Sequence, residues 1–200
     1  HRDGTFLEVS NPLVWADSYT EGNAWHYRFG PFWDPEGLVE HTFDGDRLDA
    51  LDALGSYWDA VEAEPDDLAP DDYYWHGNEP DLHYAMIAAQ LGDPVLTARA
   101  VNLVRDTRYE DSPTGLDGND DAGTLSSWLL WQAIGLYPIA GTADYVVGSP
   151  WFERVEIDGV LTMNAARVDA APAAIQLGED EVGSVFTHQA LVEAGELRFE

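Results

Sequence analysis

Three short polar segments, each beside aromatic residues, hold the side chains best suited to chemistry. The first is Tyr19-Thr20-Glu21-Gly22-Asn23-Ala24-Trp25-His26-Tyr27. A single carboxylate at Glu21 among Tyr19, Trp25 and Tyr27 would be partly desolvated, the setting of a general acid. A plainer role fits the same residues, with Thr20 capping a helix and Glu21 favouring its N-terminus. The second segment is Trp75-His76-Gly77-Asn78-Glu79-Pro80. It gathers a carboxylate, a carboxamide and loop carbonyls, the oxygen donors a hard cation needs. Capping by Asn78 explains it equally well. The third is Asp117-Gly118-Asn119-Asp120-Asp121-Ala122-Gly123. Its spacing does not fit a twelve-residue calcium loop ending in Glu, and a glycine-flanked acidic turn that caps the next helix is the alternative.

Glu21 and Asp121 stand 100 positions apart, so only the fold can bring them together. Two carboxylates and an oxygen-ligand site among aromatics make the inventory of a sugar-processing pocket, in which rings stack on Trp and Tyr while carboxylates move protons. Other chemistries lack their residues. The chain has no Cys, which excludes disulfides, thiolate metal sites and a cysteine nucleophile. It shows no Gly-Ser nucleophile elbow, no phosphate-cradling loop and no closely spaced His pair. With 38 acidic and 9 basic residues the net charge is −29, which excludes an electrostatic nucleic-acid partner. All the basic residues are Arg. No apolar run approaches the roughly 20 residues that span a bilayer. The chain opens on His1-Arg2-Asp3-Gly4 rather than on Met or a signal sequence, and reads as a piece of a longer one.

The elements that must position these segments are helical first and β-rich last. Leu48, Leu51, Leu54, Trp58 and Val61 recur at helical spacing and predict an amphipathic helix over 45–64. Pro and acidic residues break the pattern over 65–72. A second helix is expected from Pro80 to Gly92, apolar nearly all round, and a third from Pro94 to Arg108 with Leu96, Ala100, Leu103 and Val104 inward. Residues 115–123 read as a loop, and 124–136 as a fourth helix carrying Leu125, Trp128, Leu129, Trp131 and Ile134. After Tyr137-Pro138 short β-like runs follow at 145–147, 152–157, 160–163, 185–188 and 196–200. The result is a mainly α fold with a small β-rich tail.

The blocks Tyr19 to Trp25, His76 to Pro80 and Gly118 to Asp121, followed by Leu125 to Tyr137 and Val147-Gly148-Ser149-Pro150, resemble the signature segments of glycoside hydrolase family 92 in their order. The resemblance extends to Thr187-His188 and residues 195–199. It implies a calcium-dependent exo-α-mannosidase that inverts the anomeric centre, built as a β-sandwich packed on an α/α toroid of six-hairpin type. This chain is similar only to the C-terminal part: residues 1–140 would be the last portion of the toroid and 141–200 a β-rich segment. By the same resemblance Glu21 is the general acid and Asp121 the general base, with Asn119 helping to orient the water. Asn23, Trp25, His76 and Asp120 contact the sugar, and Asn78 and Glu79 help to hold Ca²⁺. Asn119 departs from the Asp usual there, and His26 from the usual Gln. The implied substrate is a mannose-containing glycan, and the implied location is secreted or periplasmic. An inverting pair should place its carboxyl groups about 6.5–9.5 Å apart to admit a water. Two other readings stay open: an inactive sugar- or calcium-binding module, and a metal-independent glucosidase of the helical-toroid type.

Overall fold

In the computed structural model the described residues are 11–15, 19–64 and 71–200. The opening four residues and the 65–70 part of the expected break lie outside them. Helix α1 (Pro35–Thr42) begins where Asp34 accepts a hydrogen bond from the Gly37 N–H and Pro35 takes the first turn. Eight residues are too few for a periodic signal, so only the Asp-Pro start marks this helix in the sequence. Helix α2 (Arg47–Glu62) is capped by Asp46, which accepts from the N–H groups of Leu48 and Asp49. Its buried face is Ala50, Leu54, Tyr57, Trp58 and Val61. The expected stripe is turned away from Leu48, which is 73% exposed, because the Tyr57 ring takes the inward place against Phe29 and Tyr84.

The helix expected from Pro80 to Gly92 is broken. Two 3₁₀ turns, Glu79–Asp81 and Tyr84–Met86, lead into a single α-turn, α3 (Ile87–Gln90). Tertiary partners divert the backbone: the Leu82 carbonyl accepts from the Trp128 indole at 3.0 Å, and the Met86 N–H turns to the His83 carbonyl. The expected burial on all sides holds, from Leu82 and Tyr84 to Ala89 and Leu91. Helix α4 (Pro94–Arg108) starts at an Asp93 cap and buries Thr97, Ala100, Val101 and Val104, while Leu96 and Leu103 are half-buried. Helix α5 (Thr124–Ile134) lies between Gly123 and Gly135, both left-handed. A side chain at Gly135 would meet Pro150 at 2.8 Å.

Two sheets follow among the described residues. Strands β1 (Leu136–Pro138), β2 (Asp144–Val147) and β7 (Val185–Thr187) form the first, antiparallel throughout. Alternation along β1 and β2 divides their side chains between two cores. Tyr137 and Val146 pack with the helices, and Leu136 and Val147 with the second sheet. That sheet has the order β3 (Arg154–Ile157), β4 (Leu161–Ala165), β8 (Glu196–Phe199), β5 (Ile175–Leu177), β6 (Asp180–Val182), with β4 and β8 parallel. Helix α6 (His188–Ala194), capped by Thr187, covers it. The expected strand over 185–188 therefore ends one residue early. Strands β1, β5 and β6 are three residues each, too short to show alternation in sequence.

Candidate active site

Residues 19–22 and 24–29 form turns and bends on either side of Asn23, with no helix among them, so Thr20 caps none. Asn23 is buried and fully engaged: its Oδ1 accepts from the N–H groups of Trp25 and His26 at 2.8 and 3.2 Å, and its Nδ2 donates to the Asp72 carbonyl at 2.8 Å. His26 accepts from the Asn23 N–H at Nδ1 and donates through Nε2 to the Asp71 carbonyl. Burial holds its pKa below the ordinary value, consistent with that neutral form. Trp25 packs on Tyr57 and Tyr73 beneath the Arg28 guanidinium. These contacts fix the loop and, contrary to the desolvation expected of it, leave Glu21 exposed at its tip with a φ of 49°. The aromatic side chains around it pack on one another instead: Tyr19 on Tyr27, and Trp25 on Tyr57 and Tyr73.

The second loop is built around a neutral, fully buried His76. The Tyr74 hydroxyl donates to its Nδ1 at 2.6 Å, its Nε2 donates to the Tyr109 hydroxyl, and Tyr109 donates onward to the Leu125 carbonyl at 2.9 Å. Burial, with the Arg108 charge, pushes the His76 pKa down to about 3. Past it, Asn78 Nδ2 donates to the Glu21 carbonyl and Asn78 Oδ1 accepts from the Glu79 N–H at 3.1 Å. Glu79 is exposed.

In the third loop Asp120 serves helix α5. Its carboxylate accepts from the N–H and the hydroxyl of Ser126 at 2.9 and 3.0 Å. The capping role foreseen for this turn thus falls to Asp120. Its neighbours Asn119 and Asp121 stay exposed. The backbone is left-handed at Gly118, Asp121, Ala122 and Gly123. Loops two and three touch where Gly77 meets the Asp117 carbonyl, at 2.0 Å from where a Cβ would stand, so only glycine fits there.

The three loops enclose a cleft of about 410 Å³. Its walls carry the carboxylates Glu21, Glu79 and Asp121, the carboxamides Asn78 and Asn119, and the indoles Trp15 and Trp75. A second cleft of about 480 Å³, lined by Tyr27, Phe32 and His83, shares Glu21, Asn78 and Glu79 with the first. Asn23, Trp25, His76 and Asp120, expected to contact sugar, line neither cleft. Their polar atoms and rings are engaged within the protein, as described above. The aromatic lining is Trp15 and Trp75 in the first cleft and Tyr27 and Phe32 in the second. Trp75 adjoins the His76–Pro80 block, which is the one sequence signal that could have singled it out.

Matching against family models covers residues 1–200 with the glycosyl hydrolase family 92 catalytic domain. The chain belongs to glycosyl hydrolase family 92. It is 30% identical over 151 residues to an uncharacterized secreted glycosidase of Arthroderma benhamiae, covering 76% of this chain and 19% of that protein. Among solved structures it is similar to the family 92 α-mannosidase BT3965 of Bacteroides thetaiotaomicron. The TM-score is 0.79 at 26% identity, over 98% of this chain and 27% of that one. It also resembles the inverting family 92 mannosidase BT2199 of the same organism, with a TM-score of 0.74 at 25% identity over 99% of this chain and 30% of that one. The chain therefore spans less than a third of the length of these relatives.

A divalent cation has limited but suitable donors here. Among the described residues no group of three or more His, Asp or Glu side chains is placed to hold a metal. Asn78 Oδ1 keeps one lone pair after accepting from Glu79, and the Glu79 carboxylate faces the cleft. Hard oxygens of this kind suit Ca²⁺, which takes about six to eight, so oxygen donors beyond these two side chains would have to complete the shell.

Proposed function

We propose that this chain supplies the acid- and base-bearing wall of an α-mannosidase that removes terminal α-linked mannose from glycans with inversion. The observation that carries this reading is the meeting of Glu21 and Asp121 in one cleft across 100 positions of sequence. Both sit on left-handed backbone, a conformation non-glycine residues adopt at a cost of about 1–3 kcal/mol and one that clusters at active sites. Family membership and the mannosidase relatives support the same conclusion.

In this mechanism Glu21 donates its proton to the glycosidic oxygen as the bond to the anomeric carbon breaks. A water on the opposite ring face forms the new bond to that carbon and gives its proton to Asp121. Asn119 orients this water through its carboxamide and cannot itself take the proton. Exchange with solvent returns both carboxyl groups to their starting states. Asn78 and Glu79 would hold Ca²⁺, which when bound engages sugar hydroxyls and favours a flattened ring. The helices would form the closing part of an α/α toroid, with residues 141–200 as the β-rich segment after it. The secreted relative supports an extracytoplasmic location for the whole protein.

The test is NMR of the sugar first released by the full-length protein from an α-mannoside, run beside an α-glucoside. Release of β-mannose, with the glucoside untouched, is the expected result. Release of α-mannose would remove the inverting mechanism, and turnover of the glucoside alone would remove the mannosidase reading.

A further inference from the structure

Two buried carboxylates without a part in this chemistry both hold Trp75. Asp81 Oδ2 accepts from its backbone N–H at 3.0 Å, and Asp117 Oδ1 accepts from its indole Nε1–H at 3.1 Å. Asp81 and Asp117 are fully buried, and Asp81 Oδ1 and Asp117 Oδ2 have no hydrogen bond of good geometry among the described residues, the His76 backbone N–H being the group that lies near Asp117. An under-satisfied buried carboxylate is a costly group, which an apolar residue could replace if filling space were its only task. Burial pushes the Asp117 pKa up to about 6, with Arg108 opposing the rise. The indole itself is tightly confined. A Cβ at Gly77 would lie 2.5 Å from Nε1, and one at Gly118 would lie 3.5 Å from Cζ2. Its other neighbour is Trp15, at 5.4 Å between ring centroids. One edge of the ring is thus anchored inside the protein while Trp75 still lines the cleft beside Glu21 and Asp121.

We propose that Trp75 is a sugar-contacting wall of the cleft, and that Asp117 is its positioning residue, fixing the indole edge so that the ring meets the apolar face of a pyranose. This rests on the reading of the cleft as a glycoside site. Stacking needs the ring at one tilt, and a single hydrogen bond at the far edge supplies it without occupying the face.

The experiment uses the full-length protein labelled with 5-fluorotryptophan, titrated with methyl α-mannopyranoside and followed by ¹⁹F NMR. The Trp75 resonance is assigned by its loss in Trp75→Leu. It should shift on sugar addition, and Trp75→Leu should weaken binding about tenfold, the scale of one good contact. Asp117→Ala should displace the resonance before sugar is added and weaken binding similarly, raising KM for an activated mannoside by a larger factor than it lowers kcat. Asp117→Asn keeps the acceptor and should restore affinity. Should Asp117→Ala fail to fold, Trp75→Phe removes the same hydrogen bond from the other side and should weaken binding equally. Unchanged affinity in Trp75→Leu, or a Trp75 resonance indifferent to sugar, overturns the proposal. If Glu21→Gln still blocks turnover of mannosides with poor leaving groups in that case, the glycosidase reading survives it. A parent that neither binds nor cleaves mannosides overturns both.

Discussion

The side-chain amide of Asn78 donates to the backbone carbonyl of Glu21 at 2.6 Å, across 57 positions of sequence. The same side chain accepts from the Glu79 N–H, so one carboxamide fixes the carbonyl behind the candidate acid and the start of the turn that carries the candidate calcium ligand. Asn78→Ala removes both bonds. We expect kcat for mannoside hydrolysis to fall about 10–100-fold, the scale of small misplacements in an active site. Steady-state kinetics with folding checked by circular dichroism measures this, and an unchanged kcat would mean that the bond only stiffens the loop.

Glu21→Gln retains the shape of the side chain and removes the proton it would donate. Turnover of mannosides with poor leaving groups should be abolished and that of activated aryl mannosides spared, because only the former need protonation. Equal losses on both substrates would take Glu21 out of the acid role.

Asp121→Asn should cost about 10²–10⁴-fold, the usual worth of a general base. Asn119→Ala should cost less, acting only through the position of the water. Azide added to Asp121→Ala with an activated substrate should restore turnover, since an external nucleophile needs no base. Failure of azide, together with a larger loss in Asn119→Ala, would reassign the base.

Chelation should abolish activity, and Ca²⁺ should restore it better than Zn²⁺, because Asn78 and Glu79 offer hard oxygens and the chain has no Cys. Full activity in excess chelator would contradict the calcium assignment.

The buried acids predict how stability varies with pH. Arg108 Nη1 lies 2.7 Å from Asp71, while its Nη2 is 4.0 Å from Glu64, so Glu64 gains little from the cation. Burial raises the Glu64 pKa to about 7, and Asp117 behaves alike at about 6. A carboxyl raised on folding binds its proton more tightly in the folded state. Its contribution is therefore fully present below the unfolded value, near 4, and is lost as pH rises through 6 to 7. Tm at fixed salt should fall across that window. Glu64→Gln, which keeps an acceptor for the Tyr73 N–H, should flatten the fall by a few degrees. An unaltered slope would place the effect elsewhere in the strongly acidic surface.

The loop segments were legible because Gly, Asn, Asp and Pro mark turns through their own backbone chemistry. Which polar residues within them line the cleft was not. Asn23, His76 and Asp120 carry the same chemistry as Asn119 and Asp121, and differ only in whether neighbours use their donors and acceptors. The choice between Trp25 and Trp75 is likewise decided by tertiary packing. Helical spacing found α2, α4 and α5, but not the break at Leu82, where a distant indole takes a carbonyl the helix would have used.

The β1–β2 ribbon bears on how the chain can change over evolutionary time. Each residue step along it alternates between the helical core and the sheet core, with Leu136 opposite Val147 and Tyr137 opposite Val146. Deleting one residue within either strand would exchange the two sets and spoil both cores at once. Insertions and deletions should therefore accumulate in the intervening turn at 140–143 and be purged from the strands. Melting of one core should also carry the other with it, so that the helices bearing the cleft share the thermal limit of a sheet that contributes no residue to its walls.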